Sequence, residues 1–77
     1  MKKLIIKECN NLAFSVSLDE ERIDNHARTY MNYSQDLDDI RDMCKSYSTD
    51  FEIDRYIIDH WDEFVEKYNN FLVKRML

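Results

Sequence analysis

The chain has 77 residues, carries 11 basic and 16 acidic side chains for a net charge of −5, and contains neither glycine nor proline. This length makes one small domain, and 44% hydrophobic with 35% charged residues is typical of a folded chain. Because phosphate-binding loops and EF-hand calcium loops require glycine, the composition excludes both kinds of site.

The charge is distributed unevenly along the chain. Residues 19–66 contain fifteen acids and five bases, whereas the two ends together carry six bases and one acid. An acidic middle repels a line of phosphates, so we expect direct binding to nucleic acid to be unfavourable there. A nucleic-acid-binding accessory protein remains a third interpretation, in which the basic ends converge into one patch (Lys2, Lys3, Lys7, Lys67, Lys74, Arg75).

The two cysteines, Cys9 and Cys44, are too few for a disulfide scaffold. No leader peptide is recognisable at Met1, and no apolar run approaches the roughly 20 residues needed to span a bilayer. We therefore expect a cytoplasmic protein without membrane contact. Cys44 is interpreted as a small core residue and Cys9 as a half-buried strand residue.

Residues 3–18 are predicted to form a β-hairpin. Leu4 begins a β-branched run, Asn10 and Asn11 favour a turn, and the segment from Leu12 to Leu18 alternates between apolar and small side chains. Since a lone hairpin is barely stable in water, its apolar face should lie on helices.

Residues 19–47 are predicted to be helical. Ser17-Leu18-Asp19-Glu20 fits a capping box, and apolar residues then recur at helical steps as far as Tyr47. Two interpretations remain open: one continuous helix, or two helices separated by a break at residues 32–34, with Ser34 capping the second. We favour the break, because Asn and Ser are weak helix formers.

The strongest helical pattern covers residues 50–76. Thr49-Asp50-Phe51-Glu52 fits a capping box at its start. A broad apolar face follows at steps of three and four residues (Ile53, Ile57, Trp61, Phe64, Val65, Tyr68, Phe71, Leu72). We therefore predict an α+β fold in which an N-terminal β-hairpin packs on two or three α-helices. The alternative is a hairpin of long helices that dimerises.

Two acidic clusters are predicted on helix surfaces. Residues three or four apart lie about 5–6 Å from one another at Cβ, so each cluster forms a ridge of carboxylates that repel one another. An ordinary solvated face is the simpler interpretation; the functional one is a row of charges that binds a basic partner, with Tyr30 and Tyr33 as aromatic anchors. The first ridge is Asp36, Asp38, Asp39 and Asp42, and the second is Asp59, Asp62, Glu63 and Glu66.

Residues for catalysis or cofactor binding are not evident. Cys9, His26, Cys44 and His60 lack the close spacing of zinc ligands, and His60 is interpreted as a residue at the border of an apolar face. No serine or cysteine lies in a glycine-flanked turn like a nucleophile elbow. We expect neither an enzyme nor a metal or cofactor.

A protein-binding inhibitor is the leading hypothesis. In size and charge the chain resembles the small inhibitors made by phages and mobile elements, including anti-CRISPR proteins and DNA mimics. This resemblance implies a partner protein, which can be a nucleoprotein complex, whose basic, nucleic-acid-handling surface is blocked by the acidic ridges. The alternative hypothesis is a structural or regulatory module that forms a homodimer through the face of Trp61, Phe64 and Tyr68.

Overall fold

The computed structural model describes residues 3–10, 12–18, 27–31, 36–47 and 52–76. It begins with three antiparallel strands, β1 (Leu4–Asn10), β2 (Ala13–Leu18) and β3 (Ala27–Tyr30), in the spatial order β1-β2-β3. The register places Leu4 opposite Leu18 and Phe14 opposite Tyr30, which gives the sheet one buried apolar face. The predicted hairpin is confirmed.

The hairpin turn is built without glycine. The Asn10 side chain accepts a hydrogen bond from the Leu12 amide at 3.2 Å, and the strand register shifts between Glu8 and Asn10. An asparagine that bonds the backbone two residues ahead mimics a turn. The Asn10 side chain therefore stabilises a turn at a place where most tight hairpins use glycine.

Strand β3 corrects the helix predicted over residues 19–47. Ala27–Tyr30 pairs with β2, which places Arg28 and Tyr30 on the buried face and leaves Met31 exposed. A short apolar pattern does not distinguish helix from strand, and here pairing with β2 and burial of Tyr30 prevail. The Ser17-Leu18 half of the proposed capping box lies in β2. Residues 19–26 lie outside the described residues.

Helix α1 spans Leu37–Tyr47. Asp36 caps it, because its Oδ1 accepts a hydrogen bond from the Asp38 amide at 2.8 Å and its carbonyl accepts one from Ile40 at 3.1 Å. The helix thus begins after Asp36. The predicted cap Ser34 and the break at residues 32–34 lie outside the described residues.

The single helix predicted over residues 50–76 is instead two helices, α2 (Glu52–Asp59) and α3 (Trp61–Met76), which meet at His60. The His60 amide donates to the Tyr56 carbonyl at 2.9 Å, and His60 Nδ1 lies 3.1 Å from the same oxygen. A side chain that enters the backbone bonding ladder is a recognised cause of helix distortion. The periodicity alone did not reveal this junction, and the proposed Thr49 cap lies outside the described residues.

The helices cover one face of the sheet, with α3 against β1 and α2 against β2 and β3, while α1 packs on α2. Phe14 lies at the centre of this core, with ring centroids 4.9 Å from Tyr30, 5.0 Å from Tyr68 and 5.6 Å from Phe71. The predicted α+β fold is confirmed. The predicted apolar face is also confirmed, with Ile53, Ile57, Phe64 and Tyr68 buried and Trp61, Val65, Phe71 and Leu72 half-buried.

The helical-hairpin alternative is wrong because the chain contains a three-stranded sheet. The face proposed separately for a homodimer consists of Trp61, Phe64 and Tyr68. Phe64 and Tyr68 are 0% and 2% exposed within one chain and Trp61 is half-buried, so only Trp61 keeps part of its surface for a second copy. Burying large apolar side chains stabilises the monomer instead, by roughly 1.5–3 kcal/mol each.

Candidate functional site

The first acidic ridge lies at the start and along the outer side of α1. Asp38, Asp39 and Asp42 are exposed, whereas Ile40 and Cys44 on the same helix are buried. Asp36 is also exposed, but its carboxylate is engaged in capping the helix. Three of the four predicted carboxylates are therefore presented outward, and the fourth has a structural role.

The second ridge is divided by the junction at His60. Asp59 is the last residue of α2, whereas Asp62 and Glu66 lie one helical turn apart on α3, and all three are exposed. Glu63 is half-buried and lies 3.5 Å from Lys67 Nζ, an ion pair one turn along the helix. We use the term acidic surface for Asp38, Asp39 and Asp42 of α1 together with Asp62 and Glu66 of α3.

A contact between α1 and α3 relates the two parts of the acidic surface. The Arg41 guanidinium carbon lies 5.3 Å from the centroid of the Trp61 ring, which is a cation–π distance. Asp42 and Asp62 are the residues that follow Arg41 and Trp61 in the chain, so each part of the acidic surface includes a neighbour in sequence of this contact. Arg41 also reduces the local negative charge between them.

Tyr30, one of the two proposed aromatic anchors, is not part of this surface. Tyr30 is 1% exposed and its ring packs on Phe14 in the core, so it has no face available to a partner. Its predicted anchoring role is thus corrected, because β3 turns the side chain inward. Tyr33 lies outside the described residues.

A buried polar cluster joins β3, α1 and α2. Tyr30 Oη lies 3.2 Å from Cys44 Sγ, and Arg28 Nε lies 3.4 Å from Asp54 Oδ1. Asp54 is 0% exposed, and neither of its oxygens has a partner at hydrogen-bonding geometry within the described part of the chain. Sequence reasoning missed this cluster because it treated residues 27–30 as helical; as a strand, alternation places Arg28 and Tyr30 on one face.

The buried cluster is unsuited to nucleophilic chemistry. Burial raises the pKa of the Cys44 thiol to about 11, and burial is also the main cause of the raised pKa of Tyr30. Burial likewise raises the pKa of Asp54, although the nearby Arg28 guanidinium opposes the shift. A thiol needs a lowered pKa and access to substrate to act as a nucleophile, and Cys44 has neither.

His60 lies at the surface beside the acidic surface. Its ring stacks on Tyr56 with centroids 3.9 Å apart, and because a carbonyl only accepts, the Nδ1–H form donates to the Tyr56 oxygen. This arrangement accounts for His60 as a residue of the helix junction. The interpretation from the sequence is that His60 lies at the border of an apolar face.

Two of the bases, Lys67 and Lys74 of α3, lie against β1. Lys67 Nζ donates to the Leu4 carbonyl of β1 at 2.7 Å. Lys67 and Lys74 then line a cleft between α3 and β1, together with Ile6, Asn70 and Phe71. Lys3 and Lys7 are exposed on or beside β1, while Lys2 lies outside the described residues.

Within the described ranges, no three or more His, Cys, Asp or Glu side chains are grouped so that they could hold a metal ion. Among the helices found there, none combines the length and the apolar character needed to cross a membrane. Comparison of the chain with protein-family models, with curated proteins and with solved structures found no match.

Proposed function

We propose that this protein is a protein-binding inhibitor whose acidic surface occupies a basic, nucleic-acid-handling surface of a partner protein. The observation that carries the proposal is the set of exposed carboxylates on α1 and α3. Asp38, Asp39 and Asp42 are exposed on α1, and Asp62 and Glu66 are exposed one turn apart on α3.

The energetics of the acidic surface favour a partner of opposite charge. Like charges one helical turn apart destabilise a helix by a few tenths of a kcal/mol per pair, a cost that a basic partner would remove. Asp38 and Asp39 lie in the first turn of α1 and Asp62 in that of α3, where the helix dipole offsets part of this cost. The acidic surface is thus compatible with a stable fold, and its carboxylates remain available for binding.

The helices hold these carboxylates in fixed relative positions, as a nucleic-acid backbone holds its phosphates. Exposed charges mainly accelerate association and select partners by sign, rather than supply most of the affinity. Apolar contacts would have to supply the rest. Val73 is 57% exposed and lies two turns beyond Glu66 on α3, close to the same side of the helix.

Two variants with the same change in net charge test this proposal. Asp42→Asn with Asp62→Asn removes two charges from the acidic surface, and Glu8→Gln with Glu52→Gln removes two exposed charges elsewhere. Immobilised wild type and both variants are used to capture proteins from a host lysate at low and at moderate ionic strength. Each captured protein is identified and then assayed for its own binding to DNA and RNA.

We expect a captured nucleic-acid-binding protein that the wild-type chain displaces from its nucleic acid. The rate of association with this captured protein should fall several-fold for the first variant and remain unchanged for the second. The affinity should decrease as added salt shortens the Debye length towards about 8 Å. A complex that is indifferent to salt, or that both variants form equally well, would exclude the proposed mechanism.

A further inference from the structure

We infer that the cleft between β1 and α3 is a binding site for a small organic monoanion that carries a short apolar arm. The site uses none of the residues of the acidic surface, so the inference is independent of the proposed inhibitor function. Three observations carry it: the lining of the cleft, the placement of its ammonium groups and its size.

The lining of the cleft combines an apolar floor with polar groups. Ile6 and Phe71 are half-buried, and the Phe71 ring is held by its neighbours Phe14 and Tyr68, at centroid distances of 5.6 and 6.5 Å. Small-molecule sites combine apolar surface with a few polar groups that orient the ligand. Here Ile6 and Phe71 supply the apolar surface, and the other three lining residues are polar. A fixed aromatic ring offers an apolar arm a surface that does not have to be ordered on binding.

The polar groups of the cleft lie along one flank of α3. Lys67, Asn70 and Lys74 are separated by three and four residues, which places them on adjacent turns. The Lys67 ammonium has three donor protons; the Leu4 carbonyl accepts one at 2.7 Å, and Glu63 forms an ion pair with the ammonium at 3.5 Å. The ammonium can therefore also donate to a ligand, and the two existing contacts hold it in place.

Charge and size together define the ligand. Two ammonium groups line the cleft and one carboxylate, Glu63, pairs with the first of them, so the local charge is close to +1. A monoanion matches this charge. The cleft volume of about 270 Å³ lies just below the roughly 300–1,000 Å³ of drug-sized pockets, which suits a ligand of about a dozen heavy atoms.

The test uses 4-phenylbutyrate as the probe and its neutral counterpart 4-phenylbutyramide as the matched ligand. Inorganic phosphate serves as an anion without an apolar arm. Amide chemical shifts of the ¹⁵N-labelled full chain are followed during each titration. We expect saturable shifts confined to β1 and the second half of α3, with a Kd on the order of 1 mM for so small a ligand.

Removing the negative charge of the ligand, or a positive charge of the cleft, should weaken binding. We expect the amide and phosphate to bind at least tenfold more weakly than 4-phenylbutyrate, and Lys74→Gln to weaken the latter about fivefold. Lys45→Gln, an exposed lysine of α1, is the control and should have no effect. The inference would be overturned if the amide or phosphate bound as tightly as 4-phenylbutyrate. It would also be overturned if the two lysine variants had equal effects, or if the shifts did not saturate.

Discussion

Arg28 Nε lies 3.4 Å from Asp54 Oδ1, and this ion pair joins β3 to α2 inside the core. The Asp54 side chain is 0% exposed and that of Arg28 is 18% exposed. Removing two charges from water costs several kcal/mol per ion, and their attraction repays this only when geometry and further hydrogen bonds are favourable. The pair therefore links β3 to α2, and its net contribution to the stability of the fold is smaller than its short distance suggests.

Replacing one member of this pair should cost more than replacing both. Arg28→Met leaves the buried Asp54 without its cation and should lower the free energy of unfolding by about 3–5 kcal/mol. Arg28→Met with Asp54→Leu should be near neutral or stabilising, because both desolvation penalties disappear. Urea denaturation of wild type, both single variants and the double variant measures the coupling; a double variant less stable than Arg28→Met would contradict this account.

Stability should depend on pH through Asp54. Because burial raises the pKa of its carboxyl above the ordinary 3.8, Asp54 holds its proton more tightly in the folded state than in the unfolded state. The contribution of Asp54 is therefore fully present below pH 3.8 and is lost as the pH rises through its folded-state pKa. The free energy of unfolding of wild type minus that of Asp54→Asn, measured in urea between pH 3.5 and 7.5, should fall with rising pH. A difference that grows with pH would show that Arg28 outweighs burial.

The two thiols should react at very different rates. Cys9 is exposed, whereas Cys44 is buried beside Tyr30 and has its pKa raised to about 11 by burial. Because the thiolate is the reactive form, Ellman's reagent at pH 8 should label one thiol rapidly and the second only after unfolding. The Cys9→Ser variant is the control, and rapid labelling of that variant would mean that Cys44 is accessible.

Loss of the contact between Arg41 and Trp61 should loosen α1 from α3. The two groups lie 5.3 Å apart, and such a contact at a partly exposed site contributes about 0.5–1 kcal/mol. Arg41→Gln should lower the free energy of unfolding by this amount and increase quenching of Trp61, the one tryptophan of the chain. Arg55→Gln on α2 is the matched control; equal effects of the two variants on Trp61 would refute the contact.

The contribution of the hydrogen bond between Tyr30 and Cys44 to the free energy of unfolding can be measured separately from the contribution of the packed Tyr30 ring. Tyr30→Phe keeps the stacking on Phe14 but removes the hydroxyl that lies 3.2 Å from Cys44 Sγ. One buried hydrogen bond contributes about 0.5–1.5 kcal/mol, whereas Tyr30→Ala should cost about 3–5 kcal/mol through the cavity it leaves. Urea denaturation of both variants provides the comparison, and equal losses would mean that ring packing contributes little.

The amino-acid sequence alone was sufficient for the features that depend on local periodicity. Alternation from Leu12 to Leu18 predicted the hairpin, and the three-and-four spacing from Ile53 to Leu72 predicted the helical face that packs on it. Both signals arise from burying one face of a regular element, which constrains every second residue of a strand and every third or fourth residue of a helix.

Only the tertiary structure decided how distant segments meet. Residues 27–30 are too few for their apolar pattern to distinguish a strand from a helix. They form a strand because they pair with β2. That pairing turned Tyr30 into the core and brought Arg28 to Asp54, and the packing of α3 against β1 brought Lys67 to Leu4. These contacts join residues that are far apart in the chain, so their free energy depends on the whole fold, whereas the exposed acids of α1 and α3 follow from local helical spacing alone.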